Sequence, residues 1–383
     1  MKKRIIILGC TGSIGQSTIE LVREFPDLFE IVGLQANTNE QKLLELAKEF
    51  SCTQLCLTGK NIGADVLNSR IIFYGKSSVN NLIKNTDADI VVNGISGAAG
   101  LIPSVTTLEC GKNLALANKE TMVLAGNIIN KIAEENNVKI LPVDSEHSAI
   151  FSLIEKCGKD NIANITITAS GGPFKNLTKE ELNEVTLEQA LNHPTWNMGP
   201  KITIDSATLA NKGLEVIEAN QLFGLSAEKI NVVIHPQSLI HSLVQTKDGQ
   251  FYAQISKPDM RHPILSALTY PEIIENSLEQ VDFSNPFSME FQPPRYENFP
   301  MLKLAFDALK KGNSYPIVYN AANEIAVAAF RNKQIKFTDI AKAVENVMNF
   351  DWSKTCTTIE EVVEVDCEAR NKTLTALKEL NWQ

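Results

Sequence analysis

Apolar and polar positions follow one pattern before residue 150 and another after it. In the first part, short apolar runs alternate with segments in which apolar residues recur at helical spacing. Apolar strands that alternate with helices are typical of a parallel sheet covered on both faces. The predicted strands are Ile5–Leu8, Ile31–Leu34, Leu55–Leu57, Ile71–Tyr74, Ile90–Val92, Leu114–Ala117 and Ile140–Val143. The predicted helices include Ser17–Phe25, Glu40–Phe50 and Thr121–Asn136.

The second pattern has short apolar runs between long polar segments. Lys247–Gln250 contains Asp-Gly and predicts a hairpin turn, so we expect a mostly antiparallel sheet. Residues 271–300 are rich in proline, asparagine and serine and predict a linker, and the pattern from Met301 onward is helical. The predicted strands are Ile165–Thr168, Val232–Ile234, Leu243–Gln245 and Phe251–Ile255. The predicted C-terminal helices include Ala321–Phe330, Ile340–Val347 and Leu374–Leu380.

These patterns together predict an α/β protein with an N-terminal parallel sheet, a central α+β domain and a C-terminal helical domain. The predicted boundaries are 1–149 for the first domain, 150–270 for the second, 271–300 for the linker and 301–383 for the helices.

Composition narrows the classes of function. The chain has 383 residues, of which 44% are hydrophobic, and a net charge of −9. This acidic balance argues against a nucleic-acid partner, although a local cluster of donors can still bind a phosphorylated substrate. The seven cysteines show no metal-site spacing, so we expect reduced thiols. The apolar run after Met1 is too short for a signal or membrane segment, and we expect a cytoplasmic protein without a targeting segment.

A glycine-rich turn, Gly9-Cys-Thr-Gly-Ser-Ile-Gly15, follows the first predicted strand and opens a helix. Glycines there allow a tight turn and close approach of the backbone to a pyrophosphate. A purely structural turn is the alternative, but the strand–turn–helix context favours a Rossmann-like dinucleotide site. Where enzymes that use NAD usually carry a carboxylate, this chain has Gln35-Ala-Asn-Thr-Asn39, which favours NADP.

Two carboxylates, Asp144 and Glu146, follow the last apolar run of the first domain. Residues two apart on an extended strand face the same way, so the pair would present hard oxygen ligands to a divalent cation. A solvated loop is the alternative interpretation.

Three further polar stretches strengthen the metal interpretation: Ala169–Phe174, His193–Gly199 and Asp205–Glu215. The first predicts a backbone nest with a hydroxyl, and the second places Trp196 in a loop bounded by proline and glycine. The third puts Asn211 and Glu215 one helical turn apart. Three carboxylates, several hydroxyls and a lysine form a set that suits a metal together with a phosphate.

In these motifs the chain resembles the 1-deoxy-D-xylulose 5-phosphate reductoisomerase family, NADPH-dependent enzymes of isoprenoid precursor biosynthesis. The likeness covers essentially the whole sequence. The motifs that carry it are Thr11–Gly15, Ala117–Glu120, Pro142–His147, Ala169–Phe174, His193–Gly199, Asn211–Glu215, His235–Ser238 and Pro258–Arg261.

The resemblance implies a role for each matching residue. Asp144, Glu146 and Glu215 would bind one Mg²⁺ or Mn²⁺, with Co²⁺ also suited to oxygen ligands. The substrate phosphate would be held by Ser170, Ser206, Asn211 and Lys212. Substrate hydroxyls would contact Lys119, Ser145 and Glu146, and His193 would help to close the site. The residues that would line the NADPH site are Thr11, Gly12, Ser13, Ile14, Asn37, Thr38, Asn39, Asn118, Glu120 and Gly199.

The resemblance also implies an architecture and a reaction. Residues 1–149 would bind NADPH, and 150–270 would carry the metal and substrate site with a mobile lid at 193–200, in which Trp196 packs over the substrate. The substrate would rearrange by retro-aldol cleavage and re-addition, and NADPH would then reduce the aldehyde to 2-C-methyl-D-erythritol 4-phosphate. A homodimer and inhibitors of the fosmidomycin class are the expected partners. Two positions depart from the family pattern: Asn37-Thr38 after the second strand and Pro200 beside the lid.

Two other functions remain open from the sequence. An NADP-dependent dehydrogenase of the semialdehyde or homoserine type would need a reactive cysteine or a Lys/Asp pair in the second domain, where Cys157 is the one cysteine. A non-catalytic NADP-sensing protein would have no use for three aligned carboxylates.

Overall fold

The computed structural model describes residues 1–59, 63–67, 70–75, 77–196 and 198–379. Asn197 of the predicted lid and residues 380–383 of the predicted helical domain therefore lie outside the described residues. The chain divides into two compact units. The first unit contains 1–121, 129–148 and 259–278, and the second contains 122–128, 149–258 and 279–383.

The strands form two sheets. Their bounds are β1 Lys3–Leu8, β2 Phe29–Ala36, β3 Gln54–Leu57, β4 Gly63–Leu67, β5 Arg70–Tyr74, β6 Ile90–Asn93, β7 Asn113–Leu116, β8 Ile140–Pro142, β9 Ile162–Ala169, β10 Ile230–Ile234, β11 Ile240–Thr246 and β12 Phe251–Ile255.

The helices of the described residues differ in length from one turn to five or more turns. Their bounds are α1 Ser13–Glu24, α2 Glu40–Glu49, α3 Ser78–Asn85, α4 Leu101–Glu109, α5 Lys119–Glu135, α6 Ser145–Cys157, α7 Lys179–Leu182, α8 Leu187–Ala190, α9 Pro200–Thr208, α10 Ala210–Phe223, α11 Arg261–Thr269, α12 Pro300–Lys311, α13 Tyr315–Arg331, α14 Asp339–Met348 and α15 Ile359–Glu379.

The sheet of the first unit has the strand order β4-β5-β3-β2-β1-β6-β7-β8. All neighbouring pairs are parallel except β4 with β5. The predicted parallel sheet is confirmed, and β4 is an antiparallel edge strand that the apolar pattern did not predict. The β1 residues Ile5 to Leu8 are fully buried, as expected for a strand with helices on both faces. After β1 the chain continues through β2 and β3 on one side of that strand, and from β6 onward it continues on the other side. Ligands usually bind at the point where the strand order of such a sheet reverses.

The sheet of the second unit is mixed, with the order β10-β9-β11-β12. Strand β9 pairs in parallel with β10 and antiparallel with β11, and β11 and β12 form the predicted hairpin. The Lys247–Gln250 turn closes it, since the Thr246 N–H donates to the Gln250 carbonyl at 2.9 Å. From Pro300 the described chain consists mainly of helices α12 to α15, which confirms the helical C-terminal part.

Two further features concern the described helices and the cysteines. None of the described helices combines the length and the apolar run that a bilayer crossing requires. All seven cysteines are free thiols, and burial raises the pKa of Cys10 to about 12 and that of Cys56 to about 11. Both thiols are therefore protonated and unreactive at neutral pH.

Candidate active site

The loop after β1 has the geometry of an anion-binding turn. Gly9 has a φ of +76°, and a Cβ added to Gly15 would lie 2.3 Å from the Gly9 carbonyl oxygen. Helix α1 begins at Ser13 and has no acidic residue in its first turn. The helix therefore directs backbone N–H groups and the positive end of its dipole toward any phosphate bound at the loop.

Gln35, at the end of β2, supports this loop from within the unit. It is buried, its Oε1 accepts from the Gly9 N–H at 2.7 Å, and its Nε2 donates to Thr58 Oγ1 at 3.1 Å. The three residues after Ala36 are exposed, and the Asn39 side chain caps α2 by accepting from the Lys42 N–H at 3.1 Å. No carboxylate lies at the end of β2, as the sequence indicated.

Asn118 fixes the start of α5. Its Oδ1 accepts from the Thr121 N–H at 2.9 Å, and its Nδ2 donates to the carbonyls of Ile95 and Gly97 and to Glu120 Oε2. Asn118 and Glu120, both predicted to bind the cofactor, are therefore buried parts of one hydrogen-bond network next to Lys119.

Lys119 and Asp144 form a buried ion pair in the first unit. Lys119 Nζ lies 2.5 Å from Asp144 Oδ2, and the two side chains are 5% and 10% exposed. The expectation that Asp144 and Glu146 extend a strand is wrong, because β8 ends at Pro142 and α6 begins at Ser145. Asp144 precedes the helix, and its carbonyl accepts from the Ser148 N–H at 2.8 Å. The helix start, not strand alternation, presents the two carboxylates.

Two neighbours contact these carboxylates. Ser145 Oγ donates to Glu146 Oε2, which orients the second carboxylate. His147 is fully buried, and its Nδ1 lies 3.8 Å from Asp144 Oδ1. His147 was not among the residues predicted to form the site, although its position three residues after Asp144 is the spacing that brings side chains together on a helix.

In the second unit, the turn after β9 contains Ser170 and two glycines, in the stretch predicted to form a backbone nest. Gly171 and Gly172 have φ values of +85° and +68°, which L side chains rarely adopt. The Gly172 N–H donates to Ser170 Oγ at 3.3 Å, and a Cβ on Gly172 would lie 2.8 Å from the Ser206 carbonyl oxygen. The glycines thus allow the Ser170 turn to pack closely against α9.

His193 connects two of the predicted phosphate-binding hydroxyls. Its Nε2 lies 3.1 Å from Ser170 Oγ and 3.0 Å from Ser206 Oγ. Its Nδ1 accepts backbone N–H groups of Thr195 and half-buried Trp196, at 3.1 and 2.9 Å. Since Nδ1 accepts twice, the proton of the neutral ring is on Nε2. Burial lowers the pKa of His193, which favours the same neutral form.

We expect the order of the loop after His193 to depend on pH. The folded pKa of His193 lies below its ordinary value of about 6.5, so the unfolded loop binds the proton more readily than the ordered one. Loop stability should therefore be complete above pH ~6.5 and fall as the pH drops from there toward the lowered pKa. Trp196 fluorescence in a Trp352→Phe, Trp382→Phe background measures this, with His193→Gln as the control that lacks the titration. The same acid transition in that control would contradict the assignment.

The remaining predicted residues lie on two helices that meet at a sharp bend. Leu209, with a φ of +60°, separates α9 from α10. Asn211 and Glu215 are one turn apart as predicted, and Asn211 Nδ2 donates to Glu215 Oε1 at 2.5 Å. Lys212 Nζ lies 2.5 Å from Glu215 Oε2, and these two side chains are 5% and 1% exposed. Each unit thus contains a buried lysine in contact with a candidate metal ligand.

Gly199 is the residue at the N-terminal cap of α9, a position that the sequence did not indicate. It precedes Pro200, the first residue of α9, and its carbonyl accepts from the Thr203 N–H at 3.1 Å. A proline at the first helical position is favourable because its fixed φ suits the helix and it has no N–H to satisfy.

Comparisons with known proteins agree along the chain. Models described as 1-deoxy-D-xylulose 5-phosphate reductoisomerase, its C-terminal domain and the DXP reductoisomerase C-terminal domain match residues 5–126, 140–223 and 255–372. The 1-deoxy-D-xylulose 5-phosphate reductoisomerase of Treponema denticola is 49% identical over 370 residues, 96% of each chain. That of Chlorobium chlorochromatii is 47% identical over 98% of this chain and 100% of its own.

Solved structures give the same result. The reductoisomerase of Zymomonas mobilis in complex with NADPH is 39% identical and superposes with a TM-score of 0.90 over 98% of this chain and 99% of its own. A DOX-P reductoisomerase in complex with NADPH, fosmidomycin and magnesium is 36% identical, with a TM-score of 0.91 over 99% of each chain. These matches do not favour the dehydrogenase alternative.

Proposed function

Because the chain belongs to the 1-deoxy-D-xylulose 5-phosphate reductoisomerase family, we propose that the residues described above carry out that family's reaction. The enzyme is an oxidoreductase that converts 1-deoxy-D-xylulose 5-phosphate to 2-C-methyl-D-erythritol 4-phosphate with NADPH and a divalent metal. The observation that carries the residue assignment is the pair of buried lysine–carboxylate contacts, Lys119 with Asp144 and Lys212 with Glu215.

The described residues suit both cofactors. The glycine turn after β1 leaves no room for a Cβ at Gly15, and the start of α1 would supply backbone N–H groups to the pyrophosphate of NADPH. Carboxylates at the start of α6 and on α10 are hard oxygen donors of the kind that Mg²⁺ and Mn²⁺ prefer. We propose Asp144, Glu146 and Glu215 as the ligands of one such ion, with Co²⁺ as a further possible metal. When bound, the ion polarises the substrate oxygens and NADPH supplies the hydride.

The second unit supplies the phosphate site in this proposal. The hydroxyls of Ser170 and Ser206 both lie within hydrogen-bond distance of His193 Nε2, while Asn211 and Lys212 add an amide and a cation from α10. Neutral donors with one cation suit a phosphate that must bind and leave. The neutral His193 orients both hydroxyls and anchors the backbone of the following loop.

The remaining assignments concern orientation and water exclusion. Lys119, Ser145 and Glu146 contact the substrate hydroxyls, where the buried cation of Lys119 stabilises negative charge on oxygen during rearrangement. Trp196 covers the substrate when the 193–200 loop closes, and a fosmidomycin-class inhibitor occupies the same place. NADPH is bound by residues of the turn after β1, the end of β2 and the start of α5, together with Gly199. The proposed set is Thr11, Gly12, Ser13, Ile14, Asn37, Thr38, Asn39, Asn118, Glu120 and Gly199.

The direct test is NADPH oxidation followed optically, with and without 1-deoxy-D-xylulose 5-phosphate and with and without a chelator. We expect oxidation only when substrate and metal are both present, and its recovery when excess Mg²⁺ or Mn²⁺ is added. Oxidation that continues in excess chelator would contradict the proposed metal site.

We expect NADPH to be preferred to NADH. The described end of β2 carries no carboxylate that would repel a 2′-phosphate. The measurement is the ratio of kcat/KM for the two cofactors in the wild type and in Thr38→Asp, which adds a charge at an exposed position. The ratio should fall in the variant; a wild-type ratio near one would contradict the preference.

We propose that the enzyme is a homodimer whose contact includes β12. This strand is the last in its sheet among the described residues, and Phe251, Tyr252 and Ile255 on it are 58%, 42% and 40% exposed. An edge strand with exposed apolar side chains commonly pairs with another chain. Tyr252→Lys should shift the enzyme toward monomer in light scattering, while Phe350→Lys, at an exposed phenylalanine elsewhere, should not. A dimer unaffected by Tyr252→Lys would place the contact elsewhere.

The proposal also covers the domains and the cellular location. We propose that residues 1–149 bind NADPH and that residues 150–270 carry the substrate and metal residues. Residues 271–300 then link this second domain to the C-terminal helical domain, residues 301–383. A cytoplasmic location is supported by the seven free thiols.

A further inference from the structure

The bend between α9 and α10 holds residues of the proposed phosphate site on both of its sides. Ser206 lies before the bend, and Asn211 and Lys212 lie after it. The bend depends on Leu209 in the left-handed region, at a φ of +60°. Such a conformation in a leucine is strained and persists only when the surroundings hold it. The contacts that hold the bend therefore determine where the phosphate-binding groups lie.

A buried carboxylate lies immediately before Ser206. Asp205 is 1% exposed, and its Oδ2 lies 2.8 Å from Nζ of Lys201, one turn earlier on α9. Its Oδ1 accepts from Asn323 Nδ2 at 2.9 Å. Asn323 belongs to α13 and is fully buried, so this bond connects α9 to a helix of the C-terminal part of the chain.

The orientation of the Asn323 amide is fixed by its partner. An ionised carboxylate only accepts hydrogen bonds, so the NH₂ group must face Asp205. Asn323 Oδ1 then has no hydrogen-bond partner among the described residues. The hydrogen bond to Asp205 is therefore the polar contact through which Asn323 acts on α9.

Tyr319, one turn before Asn323 on α13, contacts the residues that follow the bend. Its hydroxyl donates to the Met301 carbonyl at 3.1 Å and lies 3.4 Å from the Ala210 carbonyl oxygen. A Cβ on Gly213 would lie 2.5 Å from the same hydroxyl oxygen. Helix α13 therefore contacts Ala210, the first residue after Leu209, and Gly213, the neighbour of Lys212.

From these contacts we propose that Asp205 and Asn323 are positioning residues for the substrate phosphate. Their hydrogen bond sets the rotation of α9 and so places the Ser206 hydroxyl relative to His193 and Lys212. This inference rests on the proposed function, because it takes the phosphate to be bound by Ser170, Ser206, Asn211 and Lys212. It assigns a role in substrate affinity to a helix that carries none of those residues.

The test uses three variants of the full-length enzyme and one control. Asn323→Ala removes the donor and should raise KM for 1-deoxy-D-xylulose 5-phosphate about tenfold, with a smaller change in kcat and an unchanged Kd for NADPH. Asn323→Asp places two carboxylates 2.9 Å apart and should raise KM further. The double variant Asp205→Asn, Asn323→Asp restores one donor and one acceptor and should recover most of that loss. Asn320→Ala is the control, because Asn320 is equally buried on α13 but donates to Glu324 on its own helix.

The outcomes separate this inference from the proposed function. If the Asn323 variants lose thermal stability and active fraction without a change in KM, or if Asn320→Ala raises KM equally, the role is structural and the inference is wrong. If the double variant stays as impaired as Asn323→Asp, the hydrogen bond is not the cause. Lys212→Ala is measured beside them: unchanged substrate KM in that variant would contradict the proposed phosphate site itself.

Discussion

Replacing Glu215 with glutamine is expected to lower kcat/KM about a hundredfold or more while leaving the fold intact. Glu215 is 1% exposed, and its two oxygens contact Asn211 and Lys212. Glutamine has the same shape but is neutral and offers a metal only one weak oxygen. Losing a group that only supports a metal ligand typically costs about ten- to a hundredfold in metal affinity or activity, and losing a ligand itself costs at least as much, because the ion is needed for the chemical step. The measurement is kcat/KM as a function of Mn²⁺ concentration.

Glu324→Gln is the matched control for this substitution. Glu324 is a largely buried carboxylate of the second unit, 2.6 Å from Arg370, so its replacement also removes one charge from an ion pair. We expect a modest loss of stability and no change in metal dependence. If Glu215→Gln and Glu324→Gln have the same activity and the same Mn²⁺ titration, Glu215 is not a metal ligand.

The parallel sheet was predictable because strands such as β1 and β6 consist largely of buried apolar residues, for example Ile5–Leu8 in β1. Strand β4 was not predictable in the same way. Its sequence Gly63-Ala-Asp-Val-Leu67 has no continuous apolar run, because an antiparallel edge strand has a neighbour on one side only. Its pairing is determined by β5, and a local pattern carries no information on that partner.

The residue types of the acidic motif indicate a metal site, but the spacing of Asp144 and Glu146 gives the wrong backbone. That spacing predicts one face of a strand, whereas a helix begins between the two residues at Ser145. The residue types were informative because hard oxygen donors suit divalent cations whatever the backbone does. The helix start was hidden because Pro142-Val-Asp-Ser-Glu has no apolar periodicity over so short a stretch.

The two lysine–carboxylate contacts differ in whether the sequence could predict them. Lys212 and Glu215 are three residues apart on one helix, so their contact follows from helical spacing. Lys119 and Asp144 are far apart in the chain and meet only because β7 and β8 are neighbours in the sheet. The bend at Leu209 and its support by Asn323 were likewise not predictable, since both depend on the packing of α13.

Lys212→Ala is expected to raise KM for 1-deoxy-D-xylulose 5-phosphate roughly ten- to a hundredfold. A hydrogen bond to a charged group contributes about 1.5–3 kcal/mol, and each ~1.4 kcal/mol is tenfold in affinity. Lys212 is the one cation in the proposed phosphate set and is 4% exposed, so solvent does not screen its charge. The same substitution leaves Glu215 without its buried cation, so we also expect a lower melting temperature.

Substrate and cofactor affinities must be separated to interpret this variant. The NADPH Kd, measured by fluorescence titration, should be nearly unchanged, because the glycine turn and the start of α5 lie in the first unit, not on α10. Lys342→Ala, which removes an exposed cation 2.8 Å from Asp339 on α14, controls for a general loss of positive charge and should leave KM unchanged. Equal weakening of NADPH and substrate binding in Lys212→Ala would assign this lysine to the cofactor, and the phosphate would then have to be held by neutral donors alone.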